Sequence, residues 1–331
     1  MSGLNEAERA HALETAQAIA AEAAELALGG WRSGTEIQKK GTIDLLTEYD
    51  LKAETLIRER LGAAFPDHRI VGEEGEAREG SAGFTWYVDP IDGTTNFAHG
   101  HPFFCVSIAL WAEGEGAGHG EVGVVAAPAL GVSWSARRGG GARRNGEPCH
   151  VSDTAELKDA LCATGFPYDR WDSSEDNVRE HRAFLKRTRG IRRCGSAAID
   201  LCLVAEGTYD LYWEQKLNPW DMCAGALLVA EAGGRGVGSE SNAVRSLARA
   251  VGGAKRRVHA APLRTWFRVG GGCDAVLRPR TVDELARAVG EHPGAGVIGE
   301  GANLLVADEG TDRLVVELGE AFRGTTIDGR T

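Results

Sequence analysis

The run WYVDPIDGTTNF at residues 86–97 brings two carboxylates to the end of one predicted strand. Apolar and polar residues alternate over 84–88, which is the pattern of a strand with one buried face. This strand delivers Asp89 and Asp92 to its end, and Pro90 stiffens the link between them. Carboxylate oxygens are the ligands that Mg²⁺ prefers, so the pair indicates a metal site.

The residues after the second carboxylate are suited to holding an anion. Gly93 allows the backbone to turn sharply, and Gly93, Thr94 and Thr95 open a predicted helix whose free N–H groups can seat a phosphate. Carboxylates beside this seat would repel an anion unless cations lay between them. The run therefore indicates a metal-bridged phosphate, and the Gly-Thr-Thr turn disfavours the alternative of an acidic junction without chemistry.

Three further acidic segments could complete such a site. The segment just before the second predicted helix carries two carboxylates and a hydroxyl, at Asp44, Asp50 and Thr47. An exposed turn after a short strand carries Glu73. Asp221 lies in the first turn of a later helix, where a plain capping role is its alternative because an acid there favours the helix dipole.

The elements that must position these residues are those of an α/β protein. Besides the helix that opens at Gly93, helical periodicity and capping signals predict four helices before residue 235, at 4–28, 48–61, 196–206 and 218–232. Short apolar runs between turn residues predict strands at 69–71, 84–88, 105–111, 122–127 and 209–213, with a hairpin over 132–151. The last helix has the most complete signals, since Asn218 can cap it, Pro219 can start it and Gly233 can end it.

Composition narrows the class of function. The chain has 331 residues, which is room for one large α/β domain or two smaller ones. The net charge of −11 argues against nucleic acid or an anionic membrane as the main partner. The seven cysteines are scattered without metal-ligand spacing and indicate reduced thiols. A charged start and the lack of a long apolar run predict a soluble, cytoplasmic protein.

The acidic segments together resemble the inositol monophosphatase family of magnesium-dependent, lithium-sensitive phosphomonoesterases, over about residues 5–234. The resembling segments are DPIDGTTNF, the Gly-Glu-Glu turn, NPWDMCAGALLVAEAGG and the GSAAIDL helix start at 195–201. The resemblance implies a layered α-β-α-β-α sandwich. It also implies hydrolysis of a phosphomonoester, with myo-inositol 1-phosphate as the first candidate, by in-line attack of a metal-activated water.

The resemblance further implies a role for each matching residue. Two or three Mg²⁺ ions would be held by four carboxylates and one carbonyl, those of Glu73, Asp89, Asp92, Asp221 and Ile91. Glu73, Asp44 and Thr94 would be catalytic, the last two by orienting the water, with Thr47 nearby.

The substrate would contact residues on both sides of the metal ligands, namely Asp92, Gly93, Thr94, Gly195, Ser196, Ala197, Glu214 and Asp221. Gly93 and Thr94 would take phosphate oxygens. The alcohol portion would contact Gly195, Ser196, Ala197 and Glu214, of which Glu214 would accept hydrogen bonds from a polyol. An ordinary strand-end charge is the alternative for Glu214.

The pattern changes after Gly234. Residues 235–261 are basic and poor in large apolar residues, which indicates a linker or disordered joint, with the closing strand and helix of the first domain (1–234) missing or altered. Residues 262–331 resemble the start of the FAD-binding region of UDP-N-acetylenolpyruvoylglucosamine reductase, on the segments 265–271, 277–281 and 299–308. A capping box predicts a helix over 281–289, between short strands at 276–277 and 297–298.

Only about a quarter of such a reductase would be present, as a truncated α+β fragment, so FAD is not expected to bind tightly. The junction between the phosphatase-like and the reductase-like segments indicates that two reading frames are fused or wrongly joined.

Several functions stay open beside hydrolysis of an inositol phosphate. A phosphatase could act on histidinol phosphate or fructose 1,6-bisphosphate, which the ligand set does not exclude. A catalytically impaired binding or regulatory protein is the third reading, and flavin-dependent reduction would be carried by the tail alone. The expected partner is a small phosphomonoester, with no membrane or nucleic acid ligand, and a homodimer is left open.

Overall fold

The computed structural model describes residues 3–33, 37–39, 45–113, 118–173, 175–237, 247–249, 273–277, 296–299 and 311–318. The chain divides into two compact units, Met1–Gly253 and Ala254–Thr331. None of the helices in the described ranges is long and apolar enough to cross a membrane.

The first unit contains six α-helices, two 3-10 helices (Pro128–Leu130 and Leu157–Asp159) and fourteen strands among its described residues. The helices are α1 (Glu6–Gly30), α2 (Glu48–Ala64), α3 (Thr94–Ala98), α4 (Val178–Leu185), α5 (Ala197–Ala205) and α6 (Pro219–Glu231). The strands are β1 (Ile37–Lys39), β2 (Leu45–Thr47), β3 (Arg69–Gly72), β4 (Phe84–Asp92), β5 (Cys105–Ala112), β6 (His119–Ala127), β7 (Val132–Arg137), β8 (Ala142–Arg144), β9 (Glu147–Cys149), β10 (Leu161–Thr164), β11 (Gly190–Arg192), β12 (Leu211–Trp213), β13 (Arg235–Val237) and β14 (Leu247–Arg249).

Two larger sheets organise this unit. The first has seven strands in the order β3-β4-β5-β6-β7-β8-β9, in which β3 and β4 are parallel and every other neighbouring pair is antiparallel. The second has five strands in the order β11-β10-β12-β14-β13, with β10 parallel to both of its neighbours. Strands β1 and β2 form a separate antiparallel pair.

The helices and sheets alternate in five layers. Small residues of α1 and apolar residues of α2 pack on one face of the seven-stranded sheet. Helices α5 and α6 share a core with the other face and with Tyr212 of β12, so they lie between the two sheets. On the far side of the second sheet, Phe184 of α4 stacks on Trp213 at 4.1 Å between ring centroids. The predicted α-β-α-β-α sandwich is therefore confirmed for this unit.

Strand β4 is more deeply buried than its sequence predicts. The alternation over 84–88 predicts one exposed face, but Thr85 is 1% exposed and Trp86 is fully buried. The prediction is wrong because helices cover both faces of this part of the sheet. As a result, the strand delivers its two carboxylates into a low-dielectric interior, not to a solvated edge.

The predicted linker, 235–261, contains two strands among its described residues. Strands β13 and β14 pair with each other, and β14 pairs with β12, so both join the five-stranded sheet. The rest of that range lies outside the described residues.

The described part of the second unit is a three-stranded parallel sheet. Its strands are β15 (Cys273–Leu277), β16 (Gly296–Gly299) and β17 (Thr311–Leu318), in the order β15-β17-β16. Strands β15 and β16 contain the positions predicted at 276–277 and 297–298. The helix predicted over 281–289 and residues 300–308 of the reductase-like segment lie outside the described residues.

Candidate active site

The four predicted acidic ligands line one cleft, whose volume is about 130 Å³. Asp89 and Asp92 come from the end of β4, Glu73 from the loop after β3, and Asp221 from the first turn of α6. Glu73 is half-buried, whereas the sequence predicts an exposed turn. The fold thus brings together side chains that are up to 148 positions apart in the sequence (73 to 221).

Hydrogen bonds fix the two carboxylates of β4. Asp89 is 2% exposed, and its Oδ1 accepts the N–H of Ile91 at 3.0 Å. Asp92 Oδ2 accepts the hydroxyl of Ser196 at 2.7 Å and the N–H of Ala198 at 2.6 Å. Each of these bonds engages one named oxygen of its carboxylate and sets the direction of the other.

The capping alternative for Asp221 is also observed. Its Oδ2 accepts the N–H of Asn218 at 2.6 Å, which satisfies a free donor at the start of α6. The same side chain lines the cleft. Capping therefore orients this carboxylate in the site and does not exclude a ligand role.

Burial raises the pKa values of the three aspartates, and repulsion between acids adds to the rise for Asp89 and Asp221. Burial raises the pKa of Asp89 well above its usual range, and Glu73 and then Asp92 raise it further. Burial likewise raises the pKa of Asp221, with Asp92 as the next cause. Burial raises the pKa of Asp92 to about 6, against hydrogen bonds from Ser196 and the start of α5 that lower it. A divalent cation among these groups would relieve both effects.

The donor set fits Mg²⁺. It consists of oxygens only, from carboxylates and from the carbonyl of Ile91 that accepts the Thr94 hydroxyl at 3.1 Å. Within the described ranges, no three acidic, histidine or cysteine side chains already meet at metal-ligand spacing. Carboxylates without a counter-charge repel one another, so holding an ion requires these side chains to rotate toward it.

The turn after Asp92 has the geometry expected of the phosphate seat. Gly93 has φ +97° and caps α3, and a Cβ at this position would lie 3.0 Å from the carbonyl oxygen of Phe103. Both the positive φ and the close approach require glycine. Helix α3 has only five residues, so the seat is formed by one short turn and not by a long helix.

Asp50 contacts Thr94 behind the cleft lining, a contact that the sequence analysis did not predict. It is fully buried, and its Oδ1 accepts the Thr94 hydroxyl at 3.2 Å. Its Oδ2 accepts the N–H of Thr47 at 2.8 Å and the Thr47 hydroxyl at 2.5 Å. The sequence predicts Asp44 as the partner of Thr94, and Asp44 lies outside the described residues. The sequence does show the Thr47-x-x-Asp50 spacing. That spacing indicates a helix capping box as readily as a pair of catalytic residues, so it did not predict the contact with Thr94.

The residues predicted to contact the alcohol fall into two groups. Gly195, Ala197 and Glu214 line the cleft. Ser196 is 1% exposed, is not part of the lining, and donates its hydroxyl to Asp92. The structure therefore places Ser196 behind the cleft wall, where it orients a carboxylate.

Glu214 is tightly enclosed. The hydroxyl of Tyr212 donates to its Oε2, and a Cβ at Gly165 would clash with the carboxylate, so only glycine leaves room for Glu214 in this position. Burial raises the pKa of Glu214 to about 7, against the Tyr212 hydrogen bond and Arg193, which lower it. These contacts hold the carboxylate at the cleft wall and argue against an ordinary strand-end charge.

Asn96 connects the Gly93-Thr94 turn to the loop before α5 through hydrogen bonds. Its Nδ2 lies 2.6 Å from the carbonyl oxygen of Phe103, 2.9 Å from that of Cys194 and 3.3 Å from that of Gly195. One side chain on α3 thus links two segments that carry cleft residues.

Asn96→Ala should lower both stability and activity. The variant leaves three partly buried carbonyls without this donor, which costs about 1–3 kcal/mol, and it releases the loop that carries Gly195. Urea denaturation and phosphate release measure the two effects. Asn5→Ala, which removes the cap of α1, is the control and should lower stability alone, by about 1 kcal/mol. Equal activity in both variants would contradict a positioning role for Asn96.

The five layers and the acidic cleft beside a phosphate-type turn define the class as a layered α/β phosphomonoesterase. Residues 8–268 match the family described as "Inositol monophosphatase family". The chain belongs to this family. Membership supports a phosphoric monoester hydrolase.

Named relatives agree with this assignment. The Arabidopsis thaliana protein "Phosphatase IMPL1, chloroplastic" is 42% identical over 231 residues, which are 68% of this chain and 62% of that protein. The Synechocystis "Inositol-1-monophosphatase" is 45% identical over 206 residues, 62% of this chain and 70% of that one. The crystal structure of extragenic suppressor protein suhB from Bartonella henselae has a TM-score of 0.66 at 34% identity, covering 72% of this chain and 93% of that one.

The family match bears on the C-terminal predictions. It runs past Gly234 and through residues 262–268, where the resemblance to the reductase was expected to begin. These comparisons do not support the reductase-like fragment.

Proposed function

We propose that this chain hydrolyses monophosphate esters of small polyols with Mg²⁺, with myo-inositol 1-phosphate as the first candidate. The observation that carries the proposal is the convergence of Glu73, Asp89, Asp92 and Asp221 in one cleft with the Gly93-Thr94 turn. The names of relatives such as the Synechocystis inositol-1-monophosphatase support the same substrate class.

The acidic residues would hold the metal. Glu73, Asp89, Asp92, Asp221 and the Ile91 carbonyl supply the ligands for two or three ions. When bound there, Mg²⁺ supplies Lewis acidity to the phosphate and lowers the pKa of a coordinated water. Backbone N–H groups at the Gly93-Thr94 turn would bind phosphate oxygens.

Thr94 and Asp50 would orient the attacking water. The Thr94 hydroxyl lies between the Asp50 carboxylate and the Ile91 carbonyl, at 3.2 and 3.1 Å. A hydroxyl held by a buried carboxylate has a fixed direction and can accept a water hydrogen. Catalytic roles for Glu73 and Asp44 stay predictions, as do a homodimeric state and a cytoplasmic location.

Phosphate release from a panel of esters tests this function. The full chain is assayed with Mg²⁺ and with excess chelator on myo-inositol 1-phosphate, histidinol phosphate and fructose 1,6-bisphosphate. Mg²⁺-dependent release that is fastest from the inositol ester is expected. Faster release from another ester would reassign the substrate, and no release from any ester would favour a binding or regulatory role.

Added Mg²⁺ should stabilise the fold more at high pH than at low pH. The folded pKa of Asp92, about 6, exceeds the usual value of 3.8, and those of Asp89 and Asp221 are also raised. The metal-free folded state therefore binds more protons than the unfolded state, and its stability falls as pH rises from about 4 through 6.

Thermal unfolding at about pH 5 and about pH 8, with Mg²⁺ or with K⁺ at equal ionic strength, measures this effect. The Mg²⁺-induced rise in Tm should be larger at the higher pH, where these acids are ionised. A larger rise at the lower pH would contradict the assignment of these acids as ligands.

Lithium should inhibit phosphate release at millimolar concentration. A small monovalent cation suits an oxygen-rich site but lacks the charge to stabilise a leaving alkoxide. Rates in LiCl are compared with rates in KCl at matched ionic strength. Equal rates in the two salts would contradict this prediction.

A further inference from the structure

Asp200 is a cleft residue whose burial the reaction described above does not explain. It lies on α5, is 1% exposed, and lines the cleft on the side of Glu214. Its Oδ1 is buried and accepts no hydrogen bond from the part of the chain that the structure describes. Buried carboxylate oxygens are almost always hydrogen-bonded in folded proteins, so this one calls for a further donor, and the cleft that Asp200 lines is where a ligand could bring one.

The charges around Asp200 identify its place in the site. Burial raises its pKa well above the usual range, Glu214 and Asp92 raise it further, and Arg193 lowers it. Arg193 also lowers the pKa of Glu214 and lines the same wall of the cleft. Two carboxyl groups thus face one region, beyond the metal ligands, with one guanidinium beside both.

We propose that Asp200 joins Glu214 in a subsite of two carboxyl groups that accepts hydrogen bonds from two hydroxyls of the substrate's alcohol, with Asp200 as its new member. This inference rests on the proposed function and adds a specificity-determining residue to it. The subsite selects esters of polyols over esters of alcohols without further hydroxyls.

A neutral polyol suits the subsite better than a cationic alcohol. Arg193 already provides a positive charge to both carboxyls, and Tyr212 already donates to Glu214. What Asp200 Oδ1 lacks is a hydrogen-bond donor. A hydroxyl supplies that donor without adding charge, and a site built to accept it disfavours an analogue that lacks it.

The test compares two esters with the same six-membered ring. Myo-inositol 1-phosphate carries ring hydroxyls, and cyclohexyl phosphate does not. Asp200→Asn should lower kcat/KM for the inositol ester by about 10- to 100-fold and change that for the cyclohexyl ester by less than about 3-fold. The ratio of the two constants is the readout, because general damage to the fold would lower both.

Asp210→Asn is the matched control. Asp210 is also a buried carboxylate, but it lies outside the cleft lining and accepts the Leu161 N–H at 2.6 Å. This variant should lose stability in urea and keep the wild-type ratio.

Three results of these assays overturn the inference. If the ratio of kcat/KM for the two ring esters is unchanged in Asp200→Asn, Asp200 does not contribute to recognition of the alcohol, and the proposed function stands. If Asp200→Asn loses more kcat/KM with O-phosphoethanolamine than with the inositol ester, Asp200 binds an ammonium group and not a hydroxyl. No Mg²⁺-dependent release by the wild type from either ring ester overturns both proposals.

Folding of the variant is checked by urea denaturation. If Asp200→Asn does not fold, Asp200→Ser is assayed instead. We expect it to reduce the preference for the inositol ester over the cyclohexyl ester in the same way. Failure of both variants to fold would assign Asp200 to the core and overturn its role in recognition.

Discussion

Asp92→Asn is expected to abolish phosphate release while leaving the chain folded. The side chain is 9% exposed at the end of β4, and the substitution removes a charge that the metal requires. We expect kcat to fall by at least about 10²–10³-fold, the scale of losing one electrostatic contact to the transition state.

The fold should tolerate this change. An amide oxygen can still accept from Ser196 and Ala198, which now bond to Asp92 Oδ2. Loss of a buried charge should also leave metal-free stability at neutral pH equal or higher, since burial raises the pKa of Asp92 to about 6. Circular dichroism and urea denaturation check the fold.

Asp172→Asn is the control for this prediction. Asp172 is exposed and does not line the cleft, so this variant should keep wild-type turnover. Wild-type turnover in Asp92→Asn at saturating Mg²⁺ would remove Asp92 from the ligand set.

Asp50→Asn should lower kcat by about 10²-fold with a smaller effect on KM. The carboxylate accepts from Thr94 through one oxygen and from Thr47 through the other. An amide has one oxygen, so it can keep the cap of α2 or the bond to Thr94 but not both. The Thr94 hydroxyl would then lose its fixed direction.

Glu48→Gln provides the comparison for Asp50→Asn. Glu48 lies in the same first turn of α2, but it is exposed and pairs with Lys52. An exposed pair of this kind contributes little to stability, so this variant should behave as the wild type. Equal kcat values for Asp50→Asn and the wild type would rule out a water-orienting role for Asp50.

Local sequence signals predicted the elements that carry the site. The alternation over 84–88 predicted a strand, and Gly93 with the two threonines after it predicted a turn and a helix start; β4, Gly93 and α3 confirm these elements. The capping signals at Asn218 and Pro219 predicted the start of α6, which the structure places at Pro219. These signals work because each depends on residues within a few positions of one another.

Contacts between distant segments could not be predicted in this way. The Thr94 hydroxyl meets a carboxylate 44 positions earlier, and Asp92 meets the Ser196 hydroxyl 104 positions later. Asp200 follows a helical spacing that equally suits a core residue. Burial of both faces of β4 depends on helices whose packing the strand's own alternation does not encode.

The most direct test of the account is phosphate release from myo-inositol 1-phosphate as Mg²⁺ is titrated into chelator-treated protein. The wild type and Asp92→Asn are measured side by side, with Asp172→Asn as control. The account predicts no release without Mg²⁺, saturable activation of the wild type and the control, and no activation of Asp92→Asn. Release that is independent of Mg²⁺, or equal activation of the wild type and Asp92→Asn, would contradict a metal-dependent phosphatase built on these carboxylates.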